Sequence, residues 1–326
     1  MNTKDTTMIH TTVLLKESID GLAIKDGDVY VDGTLGSGGH AQYALETAQK
    51  NGAKIIVIGL DRDQGAINRS RARLGDKPNI SYVLANYKDI DITLDELGIA
   101  FADKIMLDLG LSSDQFETSG RGFSFRKNEP LLMTFKEVGP DASSLTSSSG
   151  ASEQEFEGLA DGALTASKIV NEWAEDDIAN LIFQYGEEHY AKRIAHEIVK
   201  RREEMPFVTT YDLVDAIMAS TPTSYHHMKI HPATRTFQAL RMAVNDELGS
   251  LTEGLERGFN RLSPGGRMAV ISFHSIEDRI VKRFMQEKEK QEKANLITKK
   301  PIDPSSDELR DNPRSRSAKL RIIEKK

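Results

Sequence analysis

Val31-Asp32-Gly33-Thr34-Leu35-Gly36-Ser37-Gly38-Gly39-His40 decides the fold of this chain. An apolar, strand-like run ends in an acid, and a glycine-rich turn then leads straight into a helical pattern at Ala41 to Gln49. Glycine lets a backbone turn sharply and approach a ligand closely, although a tight strand-to-helix turn needs it whether or not anything binds. The next apolar run, Lys54 to Leu60, is followed by Asp61-Arg62-Asp63. An acid about twenty residues past such a loop is where a ribose diol presents its hydroxyls to a carboxylate. The pair points to an adenosine-containing cofactor, with Asp61 as a helix cap before Gln64 the alternative, a role that Asp63 could also fill. Asp32 beside the loop is poorly suited to a pyrophosphate and well suited to a cationic amine. S-adenosylmethionine carries such an amine. A nicotinamide-dependent oxidoreductase is the rival, disfavoured by Asp32 and by the lack of an evident hydride-transfer acid.

Outward from the loop, the pattern alternates. Strands are expected at Val29 to Asp32, Lys54 to Leu60, Ile80 to Leu84 and Lys104 to Leu109, with helices at Gln64 to Leu74 and at Lys88 to Leu97, the last capped by Asn86. Alternating strands and helices make a parallel sheet covered on both faces. Asp108, in Met106-Leu107-Asp108-Leu109-Gly110, ends the fourth strand at the edge where open α/β sheets bind ligands. After it the rhythm breaks. Residues 141–167 are rich in Ser, Gly, Ala and acids and read as a flexible stretch, and Lys168 to Ala219 reads as all-helical. Strand character returns at Arg267 to Phe273, behind the turn Ser263-Pro264-Gly265-Gly266, and again at Lys319 to Ile323. The expected architecture is an α/β, Rossmann-like doubly wound sheet from residues 1–115 and 226–326, with an all-helical domain, 116–225, inserted in it.

Composition narrows the chemistry. With 38% hydrophobic and 29% charged residues, the 326-residue chain belongs with ordinary globular proteins rather than disordered or membrane ones. The absence of cysteine excludes disulfides, thiolate metal sites and a cysteine nucleophile, and no metal site is expected. A polar start and no run of eighteen apolar residues imply no membrane span and a cytoplasmic location. The net charge of −7 argues against nucleic acid as a partner, but basic residues cluster from Lys192 to Arg202, at Lys229, Arg235 and Arg241, and from Arg310 to Arg321, where they fit either solvated helix faces or a phosphate-binding surface.

Several blocks are specific. They are His10-Thr11-Thr12-Val13-Leu14-Leu15, the glycine loop, Leu107-Asp108-Leu109-Gly110-Leu111-Ser112-Ser113 with Gln115, Arg121-Gly122-Phe123-Ser124-Phe125 and Tyr185-Gly186-Glu187-Glu188. His231-Pro232-Ala233-Thr234-Arg235-Thr236-Phe237-Gln238-Ala239-Leu240-Arg241, Ser272-Phe273-His274-Ser275-Ile276-Glu277-Asp278-Arg279 and Asn312-Pro313-Arg314-Ser315-Arg316-Ser317 follow in order. With these blocks the chain resembles the RsmH/MraW family of small-subunit ribosomal RNA cytosine-N4 methyltransferases, over nearly its whole length. The resemblance implies a class I methyltransferase fold with S-adenosyl-L-methionine as donor. It also implies that the chain acts on the N4 amine of a cytidine in 16S rRNA, at the decoding centre of the small ribosomal subunit. It further implies that Gly38, Gly39 and His40 line the cofactor, that Asp61 holds its ribose, that Tyr87 packs by the adenine, and that Asp108 and Gln115 complete the pocket. Where the family usually reads Pro-Leu-Asp-Met-Arg-Met, this chain has Pro130-Leu131-Leu132-Met133-Thr134-Phe135, losing an acid and a base.

For the RNA, His231, Arg235, Arg241, His274, Arg314 and Arg316 are the expected contacts, able to clamp phosphates around one unpaired base. Ser275 to Asp278 also fits a helix-capping pattern, and His231 before Pro232 also fits a turn. Trp173 is expected in the core of the helical block. No general base is assigned. Two further rivals are a methyltransferase for a small molecule or protein, which the late basic blocks oppose, and a non-enzymatic RNA-binding factor, which the intact loop and strand-end acids oppose.

Overall fold

The computed structural model describes residues 12–110, 120–135 and 164–326. The chain divides into two compact units, residues 1–110 with 248–326 and residues 111–247.

The first unit is built on a sheet of seven strands. In chain order it opens with α1 (Leu15–Leu22), β1 (Val29–Asp32), α2 (Gly39–Lys50), β2 (Ile56–Asp61), α3 (Gln64–Leu74) and β3 (Ile80–Leu84). A 3₁₀ turn, Tyr87–Asp89, then runs into α4 (Ile90–Glu96) and β4 (Ala102–Asp108). Asn86 caps that turn, its side chain accepting from the Lys88 N–H. Along β1, β2, β4 and the later strand β5 (Leu262–Ser272) successive buried residues go to opposite faces. Tyr30, Val57, Met106 and Ile271 join a core with Ile19, Leu22, Ala41 and Ala44, whereas Val31, Ile58, Leu107 and Val270 join one with Ile90, Leu94, Leu251 and Leu255. Burial on both faces is why these strands read as continuous apolar runs.

The second unit has its own core. It contains α5 (Ala166–Glu172), α6 (Glu175–Gly186), α7 (Ala191–Arg202), α8 (Thr210–Ser220), the single turn α9 (Thr223–His226) and α10 (Ala233–Val244). Ile178, Ile182, Ile194, Ile198, Leu213, Ile217, Phe237 and Leu240 form that core, with Trp173 packed against it as expected. Phe237 and Leu240 explain why the seam lies at 247/248 and not at 226: α10 buries its apolar face among the inserted helices. Of the stretch expected to be flexible, residues 141–163 lie outside the described residues, while Thr165 already caps α5. Leu132 and Thr134, which stand where the resemblance places a charged pair, carry no charge and are both buried.

The chain returns to the sheet through α11 (Glu247–Asn260), β5 (Leu262–Ser272), α12 (Ser275–Lys290), β6 (Ala294–Leu296), α13 (Ser306–Asp311) and β7 (Lys319–Lys325). The Ser263–Gly266 turn lies within β5, as an irregularity opposite Ala102 and Lys104 of β4. Strand order is β3-β2-β1-β4-β5-β7-β6, parallel except for β7, which runs antiparallel to both neighbours. Because the chain leaves β1 toward β3 and then crosses back to β4, the β1–β4 junction is a topological switch point, where a crevice opens beyond the strand ends. No helix among the described residues is long and apolar enough to cross a membrane.

Candidate cofactor crevice and RNA-contact residues

At the switch point the glycine loop is tied to three strand ends. Gly33 N–H donates to the Met106 carbonyl (2.9 Å) and Leu35 N–H to that of Leu60 (2.9 Å). Gly36 N–H donates to Asp61 Oδ2 (2.8 Å), and the other oxygen, Oδ1, accepts from Asp63 N–H (2.9 Å). Asp61 therefore fastens the loop to β2, while Asp63 supplies the cap of α3 by accepting from Gly65 N–H. Thr34, a residue sequence reasoning passed over, holds β4 in place: its Oγ1 accepts from Asp108 N–H at 2.6 Å. A hydroxyl between two glycines of such a loop was the available signal. Gly38 has φ +77°, and a Cβ there would lie 3.0 Å from Ser70 Oγ, so the turn requires glycine before any ligand is considered.

The acids make the crevice electrostatically unusual. Asp32, 1% exposed, accepts from Thr34 N–H (3.2 Å) and from the Tyr30 hydroxyl (3.4 Å). Burial pushes its carboxyl up to about 7, helped by the charge of Asp61 and opposed by those two hydrogen bonds. Asp108 is raised well above the usual carboxylate range by burial and then by Asp32, Glu277 and Glu308. Asp61 is raised too, chiefly by burial. His40 lies between the N-terminal segment and Asp108, with Nε2 3.2 Å from the Val13 carbonyl and Nδ1 3.9 Å from Asp108 Oδ2. The other oxygen, Asp108 Oδ1, is buried and has no hydrogen-bond partner among the described residues. A buried carboxylate oxygen without a donor is costly, and like charges alongside increase the cost. A cationic ligand would relieve both.

Tyr87 closes the crevice on the α11 side. A Cβ at Gly254 would lie 2.5 Å from Tyr87 Cδ2, and one at Gly33 would lie 2.9 Å from Tyr87 Cβ, so the two glycines make room for this residue. The ring belongs to the edge of the core around Leu251 and Leu255. Gln115 lies outside the described residues. Gly38, Gly39, His40, Asp61, Tyr87 and Asp108 thus stand on the loop, strand ends and helix starts around one sheet edge. Among the described residues, no group of three or more His, Asp or Glu is arranged to hold a metal ion.

The expected RNA contacts fare differently from one another. Arg241 is locked in a two-pronged ion pair with Glu247, Nε to Oε1 and Nη2 to Oε2, both 2.8 Å. Arg235 donates from Nη1 to the Glu187 carbonyl (2.9 Å), closing the end of α6, where Glu187 is in the left-handed conformation. His274 caps α12, its Nδ1 accepting from Glu277 N–H, while Glu277 accepts in turn from Phe273 N–H; the cap is thus one residue earlier than the Ser-x-x-Asp pattern suggested. His231 accepts at Nδ1 from Ala233 N–H, consistent with the turn, yet it remains exposed. Arg314 and Arg316 are exposed on a 3₁₀ turn, Pro313–Ser317, whose middle residue Ser315 is buried.

The pH dependence of the crevice follows from its acids. Asp32 has a folded value of about 7 against an ordinary 3.8, so its contribution to the stability of the ligand-free protein is complete below about pH 3.8 and is lost as the pH rises through about 7. A cation prefers the ionised form, so its affinity should fall about tenfold for each pH unit below 7 if one proton is coupled. Titration calorimetry between pH 5.5 and 7.5 tests this, and a flat affinity would remove Asp32 from the binding set.

Comparison with known proteins adds what geometry leaves open. Residues 7–145 and 160–326 match the model of the MraW methylase family. A protein of Heliobacterium mobile named ribosomal RNA small subunit methyltransferase H is 41% identical, over 97% of this chain and 98% of its own length. Proteins of the same name from Synechococcus elongatus (44% identical) and Symbiobacterium thermophilum (41%) also align over 97% of this chain, and over 94% and 96% of their own lengths.

Proposed function

The chain belongs to the MraW methylase family, and from that membership we infer that it transfers a methyl group from S-adenosyl-L-methionine to the N4 amine of a cytidine in 16S rRNA, at the decoding centre of the small ribosomal subunit. The observation that carries the donor half is Asp108 Oδ1, buried and unpartnered among the described residues, beside Asp32 at the mouth of the glycine loop. These acids fit a cationic amine, and α2, which has no side-chain cap, starts where a carboxylate would be favoured. One end of the crevice therefore suits the amino-acid portion of the donor. Asp61 would hold the ribose hydroxyls with the lone pairs not used by Gly36 and Asp63, and Tyr87 would present its ring to the adenine. The bound donor supplies an electrophilic methyl group on a cationic sulfur.

The acceptor half rests on full-length relatives named for small-subunit ribosomal RNA, and the base and atom rest on the resemblance of the motifs. An exocyclic amine conjugated with a pyrimidine ring is a poor nucleophile. The protein's task is consequently to hold amine and methyl group in line, an arrangement able to supply effective molarities of roughly 10⁵ to 10⁸ M. A rigid loop fastened to β1, β2 and β4 is suited to that task.

The test is mass-spectrometric mapping of modified nucleosides in 16S rRNA from cells with and without this protein. Deletion should erase one N4-methylated cytidine, and restoring the gene should return it. An unchanged nucleoside profile would refute the assignment, whereas loss of a methyl group at another base would keep the enzyme and change its target.

A further inference from the structure

We propose that His274 reads the acceptor base, its Nε2–H donating to N3 of the cytosine whose amine is methylated. This inference rests on the methyl-transfer reading above and adds to it a residue that selects the base and sets its amine against the methyl group.

Strand order divides the sheet edge. The residues proposed for the donor stand at the ends of β1, β2 and β4, with Tyr87 following β3, so the edge beyond β4 is left to the acceptor. The next strand there is β5, whose Ile271 lies opposite Asp108 and accepts at its carbonyl from Leu109 N–H (2.9 Å). His274 is three residues further on. Its Nδ1 caps α12 by accepting from Glu277 N–H (3.3 Å), so the ring proton is carried by Nε2. Glu277 steadies the same turn, accepting at Oε2 from Phe273 N–H (2.9 Å). Nε2 is buried and lies 3.2 Å from Glu277 Oε1, yet it makes no hydrogen bond among the described residues. The charge of Glu277 also reaches Asp108, which puts His274 on the crevice of the donor. There, Asp108 Oδ1 calls for a cation and His274 Nε2 for an acceptor.

The base supplies that acceptor. C4 of cytosine carries the reacting amine and has two ring neighbours, N3 and C5, of which N3 alone accepts a hydrogen bond. A donor beside the amine therefore meets N3. Uracil has N3–H there instead and would leave two donors facing each other, which a site built around one hydrogen bond rejects. The plainer alternative is a helix cap whose outer nitrogen has no task. Substitution by Asn or Ser separates the two, because either side chain caps a helix from this position and neither has an atom in the place of Nε2.

The experiment uses the full chain and small subunits reconstituted on 16S rRNA that carries, at the position mapped above, either cytidine or 3-deazacytidine, in which C–H replaces N3. Transfer of a tritiated methyl group is the readout. H274N should lower kcat/KM on cytidine about ten- to a hundredfold, with S-adenosylmethionine affinity unchanged, and H274S should behave alike. On 3-deazacytidine the variants and the wild type should differ by less than about threefold, because the shared hydrogen bond is already gone, and any change in the amine's own reactivity acts on all of them equally. Variants as active as wild type on cytidine would overturn the assignment. A loss of the same size on both bases, the mark of a weakened cap or fold, would overturn it too. A wild-type chain that methylates no small subunit would refute the proposed function instead, and the base reading with it.

Discussion

Replacing Asp108 with Ala is expected to raise the dissociation constant for S-adenosylmethionine at least about thirtyfold, since truncating one partner of a buried charge pair costs roughly 2–5 kcal/mol. Methyl transfer should fall below detection at donor concentrations that saturate the wild type. The same substitution should make the donor-free protein more stable, by about 1 kcal/mol at pH 8, as changes that relieve a strained functional site commonly do. Both effects have one cause: Asp108 Oδ1 is buried without a donor among the described residues, and Asp32, Glu277 and Glu308 repel its charge. The stability gain should shrink as the pH falls, because Asp108 is raised well above the usual carboxylate range and takes up its proton before an ordinary carboxylate would. Asp108→Asn keeps the shape and separates charge from packing, and should lose donor affinity nearly as fully as the alanine variant. Calorimetry with the donor and thermal unfolding without it read the two halves independently. Unchanged donor affinity in both variants would move the donor away from this sheet edge.

That crevice is legible in the sequence because it follows from local chemistry. The glycine loop, Asp61 and Asp108 each end a strand whose apolar run is visible in sequence, and a parallel sheet places such ends together. Gln64–Leu74 and Ile80–Leu84 match their expected bounds to the residue for the same reason. What stays hidden depends on packing between distant segments. α11 contains Leu251, Leu255 and Phe259 at helical spacing, but Gly249, Gly254 and Gly258 weaken the pattern. Two of those glycines exist for partners that sequence does not reveal: Gly254 gives way to the Tyr87 ring, and a Cβ at Gly258 would lie 2.9 Å from Met268 Cε.

The basic residues mislead for a related reason, since charge in a sequence does not show where it is neutralised. Arg241 finds Glu247 six residues along, and Arg235 finds a helix end.

Gly186→Ala should strongly destabilise the helical unit. Gly186 ends α6 where it crosses α10, and an added Cβ would lie 2.6 Å from the Arg235 carbonyl oxygen and 3.5 Å from Ala239 Cβ. The obstructing atom is helical backbone, so relief requires moving α10 bodily rather than turning a side chain. Inserting a methyl into a packed core commonly costs about 1–3 kcal/mol, and a rigid neighbour puts this site at the upper end. The shift also breaks the Arg235 bond to the Glu187 carbonyl and disturbs Glu188 beside it, a fully buried acid that accepts from Tyr190 N–H (2.8 Å) and from the Tyr225 hydroxyl (2.6 Å). Burial first, and then the hydrogen bond to Glu188 and its charge, push Tyr225 up to about 12, so the hydroxyl remains a donor throughout the physiological range. Denaturant unfolding should show the loss as a lower midpoint. Donor affinity, whose proposed residues lie in the other unit, should be retained at temperatures where the variant remains folded, while methyl transfer to rRNA falls. A variant as stable as wild type would mean that α6 and α10 separate at little cost, and a parallel loss of donor affinity would mean that the two units fold as one.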